Sequence, residues 1–107
     1  MKLFVNKMLF LEDIKIACGF LSKLKGIIGL DVPVLLTNTS AIHTFFLRKK
    51  LNIYFLDKNN TVVKKYTEFP PNRIIFPVKN AVSVLEFCSI DEKSAKIKLG
   101  DKIELSE

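Results

Sequence analysis

The chain is short of nearly every residue from which catalytic and metal sites are commonly built. Its 107 residues hold one histidine, two cysteines, four glycines and no tryptophan. Gly19, Gly26, Gly29 and Gly100 stand singly, so no glycine-rich loop is available to cradle a phosphate. There is no Gly-x-Ser-x-Gly, and neither Cys18 nor Cys88 lies in a recognisable nucleophile setting, which leaves nucleophilic catalysis without support. The cysteines have no CxxC spacing. Together with His43 they make only three metal-ligating side chains, none near another, where a structural zinc site takes four at local spacings. No metal and no cofactor is expected, and both thiols are expected to be free and largely buried.

Long apolar runs are missing too. The longest stretch without Lys, Arg, Asp or Glu runs from Val32 to Leu47 and is broken by Thr37, Asn38, Thr39, Ser40 and His43. A membrane helix wants about 20 predominantly apolar residues. The N-terminal MKLFVNKMLFLEDIKIACG has the outline of a secretory signal. Asn6 and Lys7 split its apolar run, however, and Glu12 and Asp13 close it before any small-residue cleavage site. The expectation is no membrane span and a cytoplasmic location. Arginine is the last scarcity. Of 17 basic residues only Arg48 and Arg73 are arginines, and the lysines that raise the net charge to +6 are scattered along the chain. Scattered lysines contact phosphates without reading bases, so no specific nucleic-acid partner is expected.

What is present is the material of a β-rich core. Apolar residues make up 49% of the chain, with nine Phe, so it buries enough surface to fold as one domain over residues 1–107. Leu3, Val5, Leu9 and Leu11 alternate on either side of Asn6-Lys7, a hairpin signature. Ile14, Ile16 and Cys18 suggest a third strand. Phe20, Leu21, Leu24, Ile27 and Ile28 then fall on one face of a short helix that Gly29 stops. Val34–Leu36 reads as a short buried strand. Residues 53–57 and 61–66 flank Lys58-Asn59-Asn60 as a second hairpin. Residues 68–80 carry three of the four prolines and read as an ordered surface loop. Residues 81–88 alternate as a strand, 91–99 allow a helical turn, and Gly100-Asp101 leads into a last strand. The fold class expected is α+β, predominantly β: a compact, barrel-like folded sheet of about eight short strands with one short helix.

His43 is the only imidazole, the side chain that titrates near neutrality unassisted, and it lies in the strongly β segment SAIHTFFLRKK. It is either a satisfied framework residue or an acid/base or anion-binding group. In a regular strand His43 and Arg48 point to opposite faces, so they share a pocket only across a bulge or kink. Arg48, followed by Lys49 and Lys50, is either a solvated turn residue or a bidentate grip on a carboxylate or phosphate. Glu86, in an otherwise apolar strand, is expected on the solvent face or paired with Arg73 or Arg48. Asp57 and Asp101 each open a turn, where a carboxylate caps backbone N–H groups.

These pieces resemble, in order, a known family. The run Lys23-x-Lys25-Gly26-Ile27-Ile28-Gly29 is followed by Ile42-His43-Thr44-Phe45-Phe46-Leu47-Arg48. Phe55-Leu56-Asp57, Pro71-x-Arg73, Leu85-Glu86 and Gly100-Asp101 come after it. The pattern is similar to the domain of unknown function 192 family (uncharacterised protein family 0127) from about Lys15 to Leu105, and the Ile-His-Thr-Phe-Phe block is its most specific part. The resemblance implies a compact β-rich fold and no established activity. It carries over Gly26, Gly29, His43, Thr44, Arg48, Asp57, Arg73, Glu86, Gly100 and Asp101. The chain departs from the family pattern at Leu30 (usually Arg), Thr39 (often Cys), Asn52 (usually Asp) and Asn72 (usually Trp). Those departures remove an arginine, a thiol and an acid from any shared polar mechanism and leave the fold implication standing.

The expectation is therefore a small accessory or binding domain, monomeric or weakly dimeric. Its site would be lined by His43, Thr44, Arg48, Arg73 and Glu86 and would take a small anion or an acidic peptide. The alternative is an enzyme with His43 as acid/base and Arg48 holding an anionic substrate. That alternative lacks a carboxylate to orient the imidazole, which Asn52→Asp would restore.

Overall fold

The computed structural model describes residues 1–18, 33–44 and 48–107. The helix expected over 20–29 and the bulge required between His43 and Arg48 fall outside these residues, and so does the side chain of Cys18. Among the described residues there are ten strands. They are β1 (Lys2–Val5), β2 (Met8–Leu11), β3 (Lys15–Cys18), β4 (Val34–Thr37), β5 (Ile42–His43), β6 (Leu51–Leu56), β7 (Val62–Phe69), β8 (Ile74–Ile75), β9 (Ser83–Cys88) and β10 (Ile103–Ser106). A single 3-10 turn covers Ser94–Lys96. The fold is predominantly β, as expected. The strands make three open sheets, ordered β10-β1-β2, β3-β4-β9-β6-β7 and β5-β8.

Local chemistry sets the two expected hairpins. Asn6 and Lys7 both have positive φ (50° and 69°), the mirror-image turn that matches the twist of paired strands. The Asn6 side chain then ties this hairpin to the turn before β10, donating to Asp101 Oδ1 at 3.0 Å and accepting from the Lys102 N–H at 2.9 Å. At the β6–β7 hairpin, Asp57 Oδ1 accepts from the Asn59 and Thr61 amides at 2.9 and 3.0 Å. The bond from the Thr61 amide is the main reason its carboxyl is held below the usual range. Asn60 supplies the positive φ of that turn (58°).

The five-stranded sheet is the centre of the molecule, and β9 runs between β4 and β6. Its alternation reads correctly, but it is not half-solvated: residues 83–87 are all buried, because both faces of the sheet are covered. Leu85 and Phe87 join Leu3, Ile14, Leu35, Tyr54, Leu56 and Ile103 on one face. Val84 joins Val34, Leu36, Ile53, Phe55, Ile42 and Ile75 on the other. Each such side chain, fully buried, contributes about 1.5–3 kcal/mol, so the sheet is held from both sides.

The proline-rich stretch holds the third sheet. Read as a surface loop, it contains instead a two-residue strand, β8, bracketed by Pro70-Pro71 and Pro77 and paired antiparallel with β5. Ile42 faces Ile75 across this ribbon and both are buried, at 6% exposure each, whereas Ile74, opposite His43, is 48% exposed. The ribbon therefore turns Ile42 and Ile75 inward and carries His43 and Ile74 on its outer side. No helix among the described residues is long and apolar enough to cross a membrane.

Candidate functional site

His43 lines a small pocket of about 180 Å³ between Ala41–His43 and the segment Ile74–Pro77. The other lining residues are Ala41, Ile42, Ile74, Ile75, Phe76 and Pro77, so His43 is the one polar side chain in the wall. Neither Ile74 nor Phe76 carries a site signature in the sequence. The available signal was the pair Ile74-Ile75 followed by Phe76 inside a stretch read as surface loop, where apolar residues have no core to fill.

Thr44, the next residue, turns inward and is completely buried. Its hydroxyl accepts from the Arg73 N–H at 2.9 Å and donates to the Pro70 carbonyl at 2.9 Å. Its backbone closes the same clasp, donating to the Arg73 carbonyl and accepting from the Asn72 N–H, both at 2.8 Å. Thr44 thus holds the turn 70–73, in which Asn72 adopts a φ of 58°. It fixes the start of β8, and with it the wall of the His43 pocket.

The two arginines are exposed. Arg73 is placed by the Thr44 clasp, and its guanidinium donates to the Asn72 carbonyl at 3.2 Å. Arg48 opens the exposed run 48–50 that leads into β6. Neither is among the residues lining the 180 Å³ pocket. Of the five residues expected at the site, the structure brings Thr44 and Arg73 into direct contact and sets His43 on the opposite side of the ribbon from Thr44.

Glu86 is neither solvent-facing nor ion-paired, and both of those expectations are corrected. It is 0% exposed on central β9, opposite Val34 of β4 and Ile53 of β6. Among the described residues neither carboxyl oxygen has a hydrogen-bond partner, and neither arginine bridges to it. Strand alternation puts its side chain on the same sheet face as Val84, under the β5–β8 ribbon. Burial in this apolar setting pushes its carboxyl up from 4.5 to about 7.

Asn52 also lies where the sequence could not place it. It faces the opposite side of the central sheet from Glu86. Its Nδ2 donates to Ser94 Oγ at 2.9 Å and its Oδ1 accepts from the Glu68 N–H at 3.0 Å. Opposite it, β7 bulges, with Glu68 at a φ of 52°. Tyr54, two residues on, donates its hydroxyl to the Ser94 carbonyl, and burial pushes that phenol up to about 12. Asn52 is thus a stitch between the β7 bulge and the 3-10 turn. An acid at that position could not orient His43. Among the described residues, no group of three or more His, Cys, Asp or Glu side chains is placed to hold a metal ion.

No family model matches the chain. It is 37% identical over 92 residues to a UPF0127 protein of Pyrococcus abyssi (strain GE5 / Orsay), covering 85% of this chain and 78% of that one. Its fold is similar to the crystal structure of a protein of unknown function from Novosphingobium aromaticivorans DSM 12444. The TM-score is 0.74 at 16% identity, over 97% of this chain and 84% of the other.

Proposed function

The chain belongs to the UPF0127 family, and from the geometry around His43 we propose that it is a small binding domain that takes a small anion or the acidic end of a peptide beside β5. The observation that carries this reading is the apolar pocket walled by His43 and Ile74–Pro77, set on a ribbon whose turn holds the exposed Arg73. The surface of that pocket is wholly apolar, so it accepts an apolar side chain or methyl group, and the polar contact to the ligand falls to the cations beside the ribbon. Arg73, pinned at the start of β8, and the exposed run Arg48-Lys49-Lys50 supply positive charge for an anion approaching the ribbon. In this reading Thr44 builds the site without touching the ligand, and Glu86 stays in the core below. The domain would work in the cytoplasm, as a monomer or weak dimer, with the Cys88 thiol free.

Calorimetry with a short peptide ending in a free carboxylate, against the same peptide amidated, tests the reading. The free acid is expected to bind at least tenfold more tightly, and Arg73→Gln to remove most of that difference. Equal affinity for the two peptides would refute it.

A further inference from the structure

The segment 74–77 has a second cavity on its other flank. A groove of about 450 Å³ lies between β7 and residues 74–79. Its polar lining comes from Lys64, Tyr66 and Lys79, and its apolar lining includes Phe69, Phe76 and Val78. Tyr66 and Phe69 stack edge to face at 5.3 Å, and Lys64 Nζ stands 5.7 Å from the centre of the Tyr66 ring. Phe76 is 77% exposed and Ile74 48%. A phenylalanine held that far out of the core, on a segment pinned by the Thr44 clasp and by the Val78 amide bonded to the Ser40 carbonyl at 2.8 Å, contributes little to folding. Contiguous exposed apolar surface beside a groove is the mark of an interaction site.

We propose that this groove docks an acidic peptide segment carrying one large apolar residue, the apolar residue against Tyr66, Phe69 and Phe76 and its flanking carboxylates on Lys64 and Lys79. Charge selects this occupant: both charged side chains lining the groove are lysines, and no Asp or Glu lines it. A second copy of the chain fits poorly, because the net charge of +6 opposes self-association and a two-fold contact would set two lysine-bearing grooves against each other. β7 is the outer strand of the five-stranded sheet, which suits an extended peptide lying alongside it. The groove shares the wall Ile74–Pro77 with the His43 pocket, which opens on the β5 side, but its two lysines line the groove alone, so their charge reversal separates the two sites.

The test is fluorescence anisotropy with a labelled, amidated hexapeptide of one phenylalanine among acidic residues, which has no terminal carboxylate for the His43 pocket. Saturable binding is expected. The double variant Lys64→Glu, Lys79→Glu should weaken it at least tenfold, Phe76→Ser should do the same, and Arg73→Gln should leave it within twofold. All these positions are exposed, so the fold is spared. Three outcomes overturn the proposal: no saturable binding, binding that survives charge reversal, or dimerisation abolished by Phe76→Ser without peptide binding.

Discussion

Thr44 and Arg73 are locked together by a two-way exchange: the Thr44 hydroxyl accepts from the Arg73 amide at 2.9 Å, and the Thr44 amide donates to the Arg73 carbonyl at 2.8 Å. The two residues are 29 apart in sequence, so this clasp sets where β8 begins and which way Ile74 to Pro77 run. Both cavities on that segment depend on it.

Replacing the hydroxyl by a methyl tests the clasp. Thr44→Val keeps the volume but leaves the Pro70 carbonyl and the Arg73 amide without their side-chain partner in a buried position. A loss of about 2–3 kcal/mol is expected in urea unfolding, with the largest amide shift changes at residues 70–75. A loss below about 0.5 kcal/mol would show that the backbone pairing holds the turn alone.

Glu86 makes the fold sensitive to pH in a definite direction. Its folded-state pKa, pushed from 4.5 to about 7, lies above the unfolded value, so the folded chain holds the proton more tightly. Stability therefore falls as pH rises from about 4.5 to about 7, by on the order of 3 kcal/mol in all. Glu86→Gln, which carries no charge to desolvate, should unfold at higher urea than wild type at pH 8 and lose most of that advantage at pH 5. A constant difference between the two proteins across this range would mean that Glu86 does not titrate there.

Asn52→Asp separates a structural stitch from an orienting residue. Ser94 Oγ already donates to the Asp91 carbonyl at 2.7 Å, so it accepts from Asn52 and has no second proton for a carboxylate. A buried charge at residue 52 should destabilise the protein by on the order of 3 kcal/mol at pH 7, and by less at pH 5. Unchanged stability at pH 7, read by urea unfolding, would contradict the placement.

The hairpins were legible because their chemistry is local: Asn6-Lys7 and Asp57 to Asn60 carry their turn instructions within four residues. Asp57 opens its turn as expected; Asp101 instead closes the turn 98–101, its Oδ2 accepting from the Lys98 N–H at 2.8 Å. β9 was legible as a strand but not as a central one, since alternation reports the pleat and says nothing of what covers each face. That is why Glu86 was expected in water or beside an arginine. Its burial is decided by β4, β6 and the β5–β8 ribbon, all distant in sequence. His43 and Thr44 are adjacent and looked like partners in one site. Strand alternation alone sets them on opposite faces; what no short-range pattern encodes is the pairing with residues 70–75 that turns Thr44 inward. Proline made 68–80 look like loop, and it hid a strand only two residues long.

The most direct measurement uses the fact that the chain has one histidine. In a proton NMR titration at fixed pH, the His43 Hε1 signal is followed as the free-acid peptide, acetate and phosphate are added in turn. A saturable shift is expected with at least the peptide, moving in step with the calorimetric binding curve, and a smaller shift in Arg73→Gln. A His43 signal that stays still while the peptide binds elsewhere would contradict the central claim that this pocket is the ligand site.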